Sequence, residues 1–120
     1  TGATNIVTQQ LNLLTDTVSK NYDMVYSLMA LHHIPDTKAI FAKFAQILTT
    51  HGKLLIADLD AEDGSFHGID VDVHHGFVRD ELRNIALQAG FRHVEIHDLM
   101  VMHRDDLGRD YPLFVLVAEK

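Results

Sequence analysis

Apolar and polar residues along this chain form a pattern that predicts strands and helices in alternation. Residues 37–50 and 79–89 place apolar side chains three and four positions apart, which sets them on one face of a helix. The segment Tyr22–Leu28 is almost continuously apolar, as expected for a strand that a parallel sheet buries on both faces. The full pattern predicts strands at residues 5–10, 22–28, 53–59, 91–102 and 111–119.

The two predicted helices carry residues that are typical of helix ends. Asp36 or Thr37 can cap the first helix, and Gly52 lies just past its carboxyl end, where glycine is common. Gly90 is placed in the same way after the second helix, whereas Val78 offers no capping side chain at its start. We therefore expect the helices to end close to Gly52 and Gly90.

The order of the elements predicts the connections between them. Strands that alternate with helices are typical of parallel strands joined by crossover helices. The last two strands are separated only by the polar residues 104–110, which are too few for a crossover helix. The sequence therefore predicts an α/β fold, with a mostly parallel sheet and an antiparallel hairpin at its carboxyl end.

Composition narrows the class of protein. The 120 residues suggest one domain or part of one, and the opening TGATNIV has no initiator Met, which indicates either a fragment or residues introduced by cloning. The formal net charge is −7, so we expect no nucleic acid as partner, because nucleic-acid binders carry a basic footprint. We expect no membrane segment either, since the apolar runs are too short to span a bilayer. The absence of cysteine and of a recognisable secretory signal favours a cytoplasmic location.

Two loops are placed to form a site. Ligands of open α/β sheets bind outside the carboxyl ends of the strands, which here are followed by residues 27–36 and 58–63. Residues 61–77 form a long loop that would cover both strand ends. That loop brings three more candidate polar groups, His67, His74 and His75.

The segment YDMVYSLMALHHIPD resembles the signature that follows the fourth strand of class I S-adenosylmethionine-dependent methyltransferases. HGKLLIADL is similar to the fifth strand of that family, RDELRNIALQAGF to the helix before the sixth, and NIVTQQLNLL to the third strand and its exit. The matching residues of the first segment are Asp23, Ser27, Leu31, His32, His33 and Asp36. The resemblance implies a partial doubly wound, Rossmann-like sheet, in which residues 1–120 form the carboxyl-terminal portion of one methyltransferase domain.

The first glycine-rich motif of the family has no counterpart in this chain. That turn allows backbone to approach the cofactor closely, and without it the chain would supply one wall of the cofactor crevice. By analogy with the family, the strands would be ordered fourth, fifth, seventh, sixth. The fourth strand, Tyr22–Leu28, would then have an unpaired edge, and we expect it to pair with a second copy, as a homodimer, or with a partner chain.

The resemblance also implies S-adenosylmethionine as cofactor, a small molecule as methyl acceptor, and roles for individual residues. Asn12 stands where the family often has an acidic residue. The implied cofactor-binding residues are Asn12, Leu13, Ser27, Leu28, Met29 and His32. The implied substrate-side residues are His33, Asp58, Asp60 and His75.

Several alternatives remain open from the sequence. His33 can be a general base, or the loop can act through shape and backbone groups, because methyl transfer depends mainly on positioning. The segment DLDAEDG fails the calcium-loop pattern at Asp63 and Ile69. A magnesium or zinc ion at Asp58 remains an alternative, although we predict no metal. The other function class is a non-catalytic α/β module that associates through its open sheet edge.

Overall fold

The computed structural model describes residues 21–66 and 74–120, which form one sheet and two helices. The strand predicted at residues 5–10, the candidates Asn12 and Leu13, and His67 lie outside the described residues. The elements are β1 (Tyr22–Leu28), a 3-10 helix (Leu31–His33), α1 (Thr37–Ile47), β2 (Leu48–Leu59), α2 (Arg79–Gln88), β3 (Arg92–Arg104) and β4 (Arg109–Glu119).

The described strands form a four-stranded sheet in the order β1-β2-β4-β3. β1 pairs with β2 in parallel, whereas β4 pairs with both β2 and β3 in antiparallel orientation. This order confirms the predicted sequence of strands, and the β3–β4 pair is the predicted hairpin. β1 and β3 are the edges of this sheet, which leaves the carboxyl ends of β1 and β2 side by side.

Both helices pack on the same face of the sheet. Leu54 and Ile56 of β2 are fully buried there, beside Phe41 of α1 and Leu82 of α2. The Phe41 ring also meets the Phe91 ring edge-on, with 6.4 Å between the centroids, an arrangement that aromatic pairs prefer. Burial of each of these large side chains contributes roughly 1.5–3 kcal/mol, so this layer holds α1 and α2 in place.

The opposite face of β1 is open, which makes the expectation of a strand buried on both faces wrong. Met24, Tyr26 and Leu28 are 56%, 68% and 66% exposed, and Val25 packs against the core on the other side of the strand. Among the described elements, both helices cover the Val25 side. In the part of the chain that the structure describes, β1 is therefore an edge strand with one exposed apolar face.

The junction between α1 and β2 also differs from the prediction. α1 ends at Ile47 and β2 begins at the next residue, Leu48, so Gly52 lies inside β2 and does not end the helix. Main-chain contacts explain this, because Lys120 donates its N–H to the Gly52 carbonyl at 2.9 Å. A Cβ on Gly52 would lie 2.8 Å from the Thr49 carbonyl oxygen, so glycine permits a close approach within the strand.

The other helix ends follow the sequence. The Asp36 carboxylate accepts a hydrogen bond from the Ala39 N–H at 3.0 Å, which caps α1. Gly90 follows α2 with a φ of +102°, a conformation that glycine adopts without a steric cost. Val78 starts α2 without a side-chain cap.

The β3–β4 hairpin is longer than predicted, and its far end projects past β2. The pairing of β2 with β4 stops at Leu59 and Leu113, whereas β3 and β4 stay paired as far as Arg104 and Arg109. The turn that we expected over residues 104–110 is therefore shorter, since it comprises only residues 105–108. This projecting end lies beside the loop that follows β2. No helix among the described residues is both long and apolar enough to cross a membrane.

Candidate functional site

The turn after β1 is bound directly to the end of β2. Leu28 lies beside Ala57 in the parallel pairing, and the next residue, Met29, donates its N–H to the Ala57 carbonyl at 2.8 Å. Met29 has a φ of +54°, a left-handed conformation that costs a side-chain-bearing residue roughly 1–2 kcal/mol. The chain thus turns sharply at Met29 and enters the 3-10 helix Leu31–His33.

Asp58 holds this turn from the end of β2. Its Oδ1 lies 2.7 Å from Nδ1 of His32, and its Oδ2 accepts the His32 main-chain N–H at 3.1 Å. Oδ1 also accepts the N–H of Leu59 at 2.7 Å. With the carboxylate as acceptor, Nδ1 of His32 donates the hydrogen. The two side chains therefore form a buried clamp between the turn after β1 and the end of β2.

This placement changes the expected roles of both residues. Asp58 and His32 are 0% and 1% exposed, so the Asp58 side chain lies inside the chain and not on the substrate side where we expected it. The described residues include no group of three or more side chains that could hold a metal ion. The contacts of Asp58 are those of a group that positions the turn.

Asp60, the next candidate, is engaged by an arginine. Arg79 donates from Nε and Nη2 to the two oxygens of Asp60 at 2.7 and 2.8 Å, and from Nη2 to Asp98 at 2.7 Å. These hydrogen bonds raise the pKa of Arg79 above its ordinary value, and the bond to Asp60 has the largest effect. Asp60 therefore ties the loop after β2 to the start of α2, where the sequence suggested a substrate contact.

The long loop after β2 is closed at its base. Phe77 donates its N–H to the Leu59 carbonyl at 2.9 Å and accepts the Ala61 N–H at 3.0 Å. Glu62 donates its N–H to the His75 carbonyl at 2.9 Å. Gly76 lies in this neck with a φ of +74°, and a Cβ there would overlap the Asp60 carbonyl oxygen. Only glycine therefore fits the neck without rearrangement.

The outgoing limb of the loop, residues 61–66, is fastened to the projecting end of the hairpin. The Ser65 hydroxyl lies 2.6 Å from the Tyr111 hydroxyl, and Arg109 pairs with Asp63 and donates to Ser65 Oγ at 3.0 Å. Hydrogen bonds lower the pKa of Asp63 below its ordinary value. The bond from the Ser65 side chain has the largest effect, and the bond from Arg109 comes next. Sequence reasoning missed Tyr111 and Arg109 as loop anchors.

A small apolar cluster packs against both the turn after β1 and the loop after β2. Leu59, Tyr111 and Leu113 are its buried members, and Met29 and Phe66 pack against it. The Phe66 ring meets the Tyr111 ring edge-on, with 5.0 Å between the centroids. The turn after β1 and the loop after β2 thus rest on one shared support.

The remaining candidates lie around this support. Ser27 is half-buried at the end of β1, beside the exposed Leu28. His33 is exposed, and its ring centroid lies 4.2 Å from that of His32. His75 is half-buried, and its Cε1 lies 2.8 Å from the place that a Cβ on Gly64 would occupy. The structure thus brings Ser27, Leu28, Met29 and His33 to the end of β1, and His75 to the base of the loop.

Comparisons with known proteins agree with this architecture. Residues 4–96 match a protein family described as methyltransferase domain. A protein of Schizosaccharomyces pombe named as an uncharacterized methyltransferase is 30% identical over an alignment of 87 residues, and the match covers 65% of this chain and 31% of that protein.

Solved structures share the fold at low sequence identity. Haemonchus contortus phosphoethanolamine N-methyltransferase 2, in complex with phosphomonomethylethanolamine and S-adenosylhomocysteine, has a TM-score of 0.72 at 16% identity, over 91% of this chain and 36% of that one. An S-adenosylmethionine-dependent methyltransferase of Methanosarcina mazei has a TM-score of 0.68 at 14% identity, over 92% of this chain and 65% of that one. The chain thus spans about a third of the S. pombe and H. contortus proteins.

Proposed function

This chain belongs to the methyltransferase domain family, and on that premise we propose that it is the carboxyl-terminal part of an S-adenosylmethionine-dependent methyltransferase acting on a small molecule. The observation that carries the proposal is the sharp turn at Met29, placed at the carboxyl end of a strand that pairs with β2 alone among the described strands. Ligands of such sheets bind outside the carboxyl ends of the strands, where the strand order reverses. In a complete sheet that reversal would lie at the edge of β1.

The cofactor would lie against the turn after β1. Ser27, Leu28 and Met29 lie at the end of the strand, and the buried His32 fixes the course of the chain beyond them. We propose that this wall acts through its shape and its main-chain groups, with Asn12 and Leu13 contributing from outside the described residues. The cofactor would supply a methyl group on a positively charged sulfur, and the wall would hold it in line with the acceptor.

The acceptor would lie between the turn and the loop after β2. His33 is exposed on the turn and is our candidate for a general base, since imidazole transfers protons near neutral pH. His75 would contribute from the base of the loop. Asp58 and Asp60 would serve the acceptor side indirectly, because both already bind groups of this chain.

The second wall of the crevice would come from another segment that pairs with β1. Parallel strands are normally covered on both faces, whereas Met24, Tyr26 and Leu28 are more than half exposed. Among the described strands, β1 is paired with β2 alone. In the natural protein, the edge would be occupied by the rest of the domain, and in the isolated chain by a second copy.

A different function class rests on the same observation. An α/β module without catalytic activity could use the β1 edge and its exposed apolar face to bind a partner chain. This alternative predicts association without binding of the cofactor. For either function we propose a cytoplasmic protein without a nucleic-acid partner, in view of the absence of cysteine and the net charge of −7.

Calorimetric titration of S-adenosylmethionine tests the proposal. We expect micromolar binding by the natural protein that contains this chain, and no comparable binding by the 120-residue chain alone. The variant Leu28→Glu should weaken binding in the natural protein because it places a charge at the end of β1, whereas the control Leu107→Glu, on the hairpin turn, should not. Micromolar binding by the isolated chain would refute the missing wall, and no binding by either protein would favour the association module.

A further inference from the structure

One residue of the loop, His74, binds the turn after β1 at several points. His74 donates its main-chain N–H to the His32 carbonyl at 2.8 Å. Its Nε2 lies 2.8 Å from the Ile34 carbonyl oxygen and 3.1 Å from that of Pro35. Because carbonyl oxygens only accept, Nε2 of His74 carries the hydrogen. A single residue therefore contacts three carbonyls within a short stretch of the turn.

The same residue begins the returning limb of the loop, residues 74–77. Its ring packs against Phe77 with 5.4 Å between the centroids, and Phe77 and His75 form the neck with Leu59, Ala61 and Glu62. His74 thus contacts both the turn and a residue of the neck. Asp58, at the end of β2, binds the same turn through His32.

We propose that His74 is a positioning residue that joins the cofactor-side turn and the acceptor-side loop into one body, so that binding at one side orders the other. The inference rests on the proposed function, since it assumes that the cofactor occupies the wall formed by the turn. Its physical basis is linkage, because a ligand that strengthens binding of a second ligand through the joined arrangement is itself bound more tightly, by the same factor, when the second is present. His74 itself need not touch either ligand.

A matched set of variants in the natural protein separates positioning from plain stability. His74→Leu removes the ring donor and keeps an apolar side chain against Phe77, whereas His74→Gln restores an N–H donor at similar reach. His97→Leu is the control, since His97 is exposed on β3 and lies outside the site. If His74→Leu does not fold, His74→Met replaces it as the longer apolar variant.

The probe is S-adenosylhomocysteine, measured by calorimetry together with amide hydrogen exchange of residues 74–77. We expect His74→Leu to bind about tenfold more weakly, as the loss of one or two hydrogen bonds implies. In that variant the probe should no longer slow exchange in the returning limb. His74→Gln should come within about threefold of the unaltered protein, and His97→Leu should match it.

Other outcomes overturn the inference or the function, and they are distinguishable. Unchanged binding by His74→Leu, or a Gln variant no better than Leu, would overturn the positioning role and leave the proposed function standing. A loss of thermal stability with unchanged affinity would reduce His74 to a structural residue. Failure of the unaltered protein to bind the probe would overturn the proposed function and this inference with it.

Discussion

The carboxylate of Asp58 binds both the ring Nδ1 and the main-chain N–H of His32, a residue 26 positions earlier in the chain. Both residues are buried, so water cannot replace either partner. A charged acceptor with several donors holds a loop more firmly than a single neutral hydrogen bond. The clamp therefore gives the turn after β1 a fixed position relative to β2.

Replacement of Asp58 by Asn should loosen this clamp. The introduced amide group would offer one acceptor oxygen to donors that now use two, and a buried donor without a partner costs about 1–3 kcal/mol. We expect the free energy of unfolding to fall by about 2–3 kcal/mol, as measured by urea denaturation. The control Asp105→Asn, at a side chain 98% exposed, should change it by less than about 0.5 kcal/mol. Equal effects of the two variants would contradict the clamp.

Gly76→Ala should open the neck of the loop. Gly76 has a φ of +74°, and a Cβ there would overlap the Asp60 carbonyl oxygen, whereas Gly108 has a φ of +59° and nothing within 4 Å of its Cβ position. Gly108→Ala should therefore cost only the backbone strain, about 1–2 kcal/mol, and Gly76→Ala should cost more than about 3 kcal/mol. Thermal denaturation compares the two, and similar losses would show that the steric conflict is absent.

Asp63 should make the anchoring of the outgoing limb depend on pH. Its pKa is lowered in the folded state from an ordinary 3.8 by Ser65 and Arg109. A lowered folded-state pKa adds stability that is complete above the unfolded value and declines as the pH falls through the folded one. The difference in urea midpoint between the unaltered protein and Asp63→Asn should thus be present at pH 7 and shrink below about pH 4. Asp105→Asn serves again as control, and a difference that grows in acid would contradict the assignment.

The isolated chain should associate through β1. Tyr26→Lys with Leu28→Lys places two charges on the exposed apolar face, and edge lysines prevent strands from pairing. We expect the doubly substituted chain to remain monomeric at concentrations at least about tenfold higher than the unaltered chain does, as measured by light scattering. Leu99→Lys with Val101→Lys on β3, at the other edge of the sheet, is the matched control and should leave association unchanged. A monomeric unaltered chain at all concentrations would contradict the proposal.

The relative directions of consecutive strands could be predicted from the sequence because connection lengths restrict them, whereas the order of the strands was implied by the resemblance to the methyltransferase family. Residues 104–110 are too short to cross over the sheet, which requires the antiparallel hairpin, and the long helical segments require crossovers between the preceding strands. The junction at Leu48 could not be predicted in the same way. Leu48 fits the apolar face of the preceding helix as well as it fits a strand. Two tertiary contacts favour the strand, namely the pairing of Leu48 with Tyr22 and the hydrogen bond from Lys120 Nζ to the Leu48 carbonyl.

The candidate site could be located from the sequence, but the partners of its side chains could not. Strand ends indicate where Asp58 and His32 lie, yet the pattern does not tell whether a carboxylate faces a ligand or a neighbouring turn. The apolar pattern places Tyr111 in a strand but does not indicate a partner for its hydroxyl. That hydroxyl reaches Ser65 only because the hairpin extends past the end of β2. Such contacts depend on the exact lengths of paired strands, which apolar patterns define to within a few residues.

The closed neck between Leu59 and Phe77 has a consequence for how this protein can diverge. Because hydrogen bonds fasten the two limbs at the base and the outgoing limb is anchored as far as Phe66, residues can be inserted or exchanged beyond Phe66 without moving the strand ends. Each doubling of the length of such a loop costs only about 0.6 kcal/mol in closure entropy. Descendants of this sequence could therefore acquire new acceptors by changing one insertion-tolerant segment while inheriting the turn after β1 unaltered.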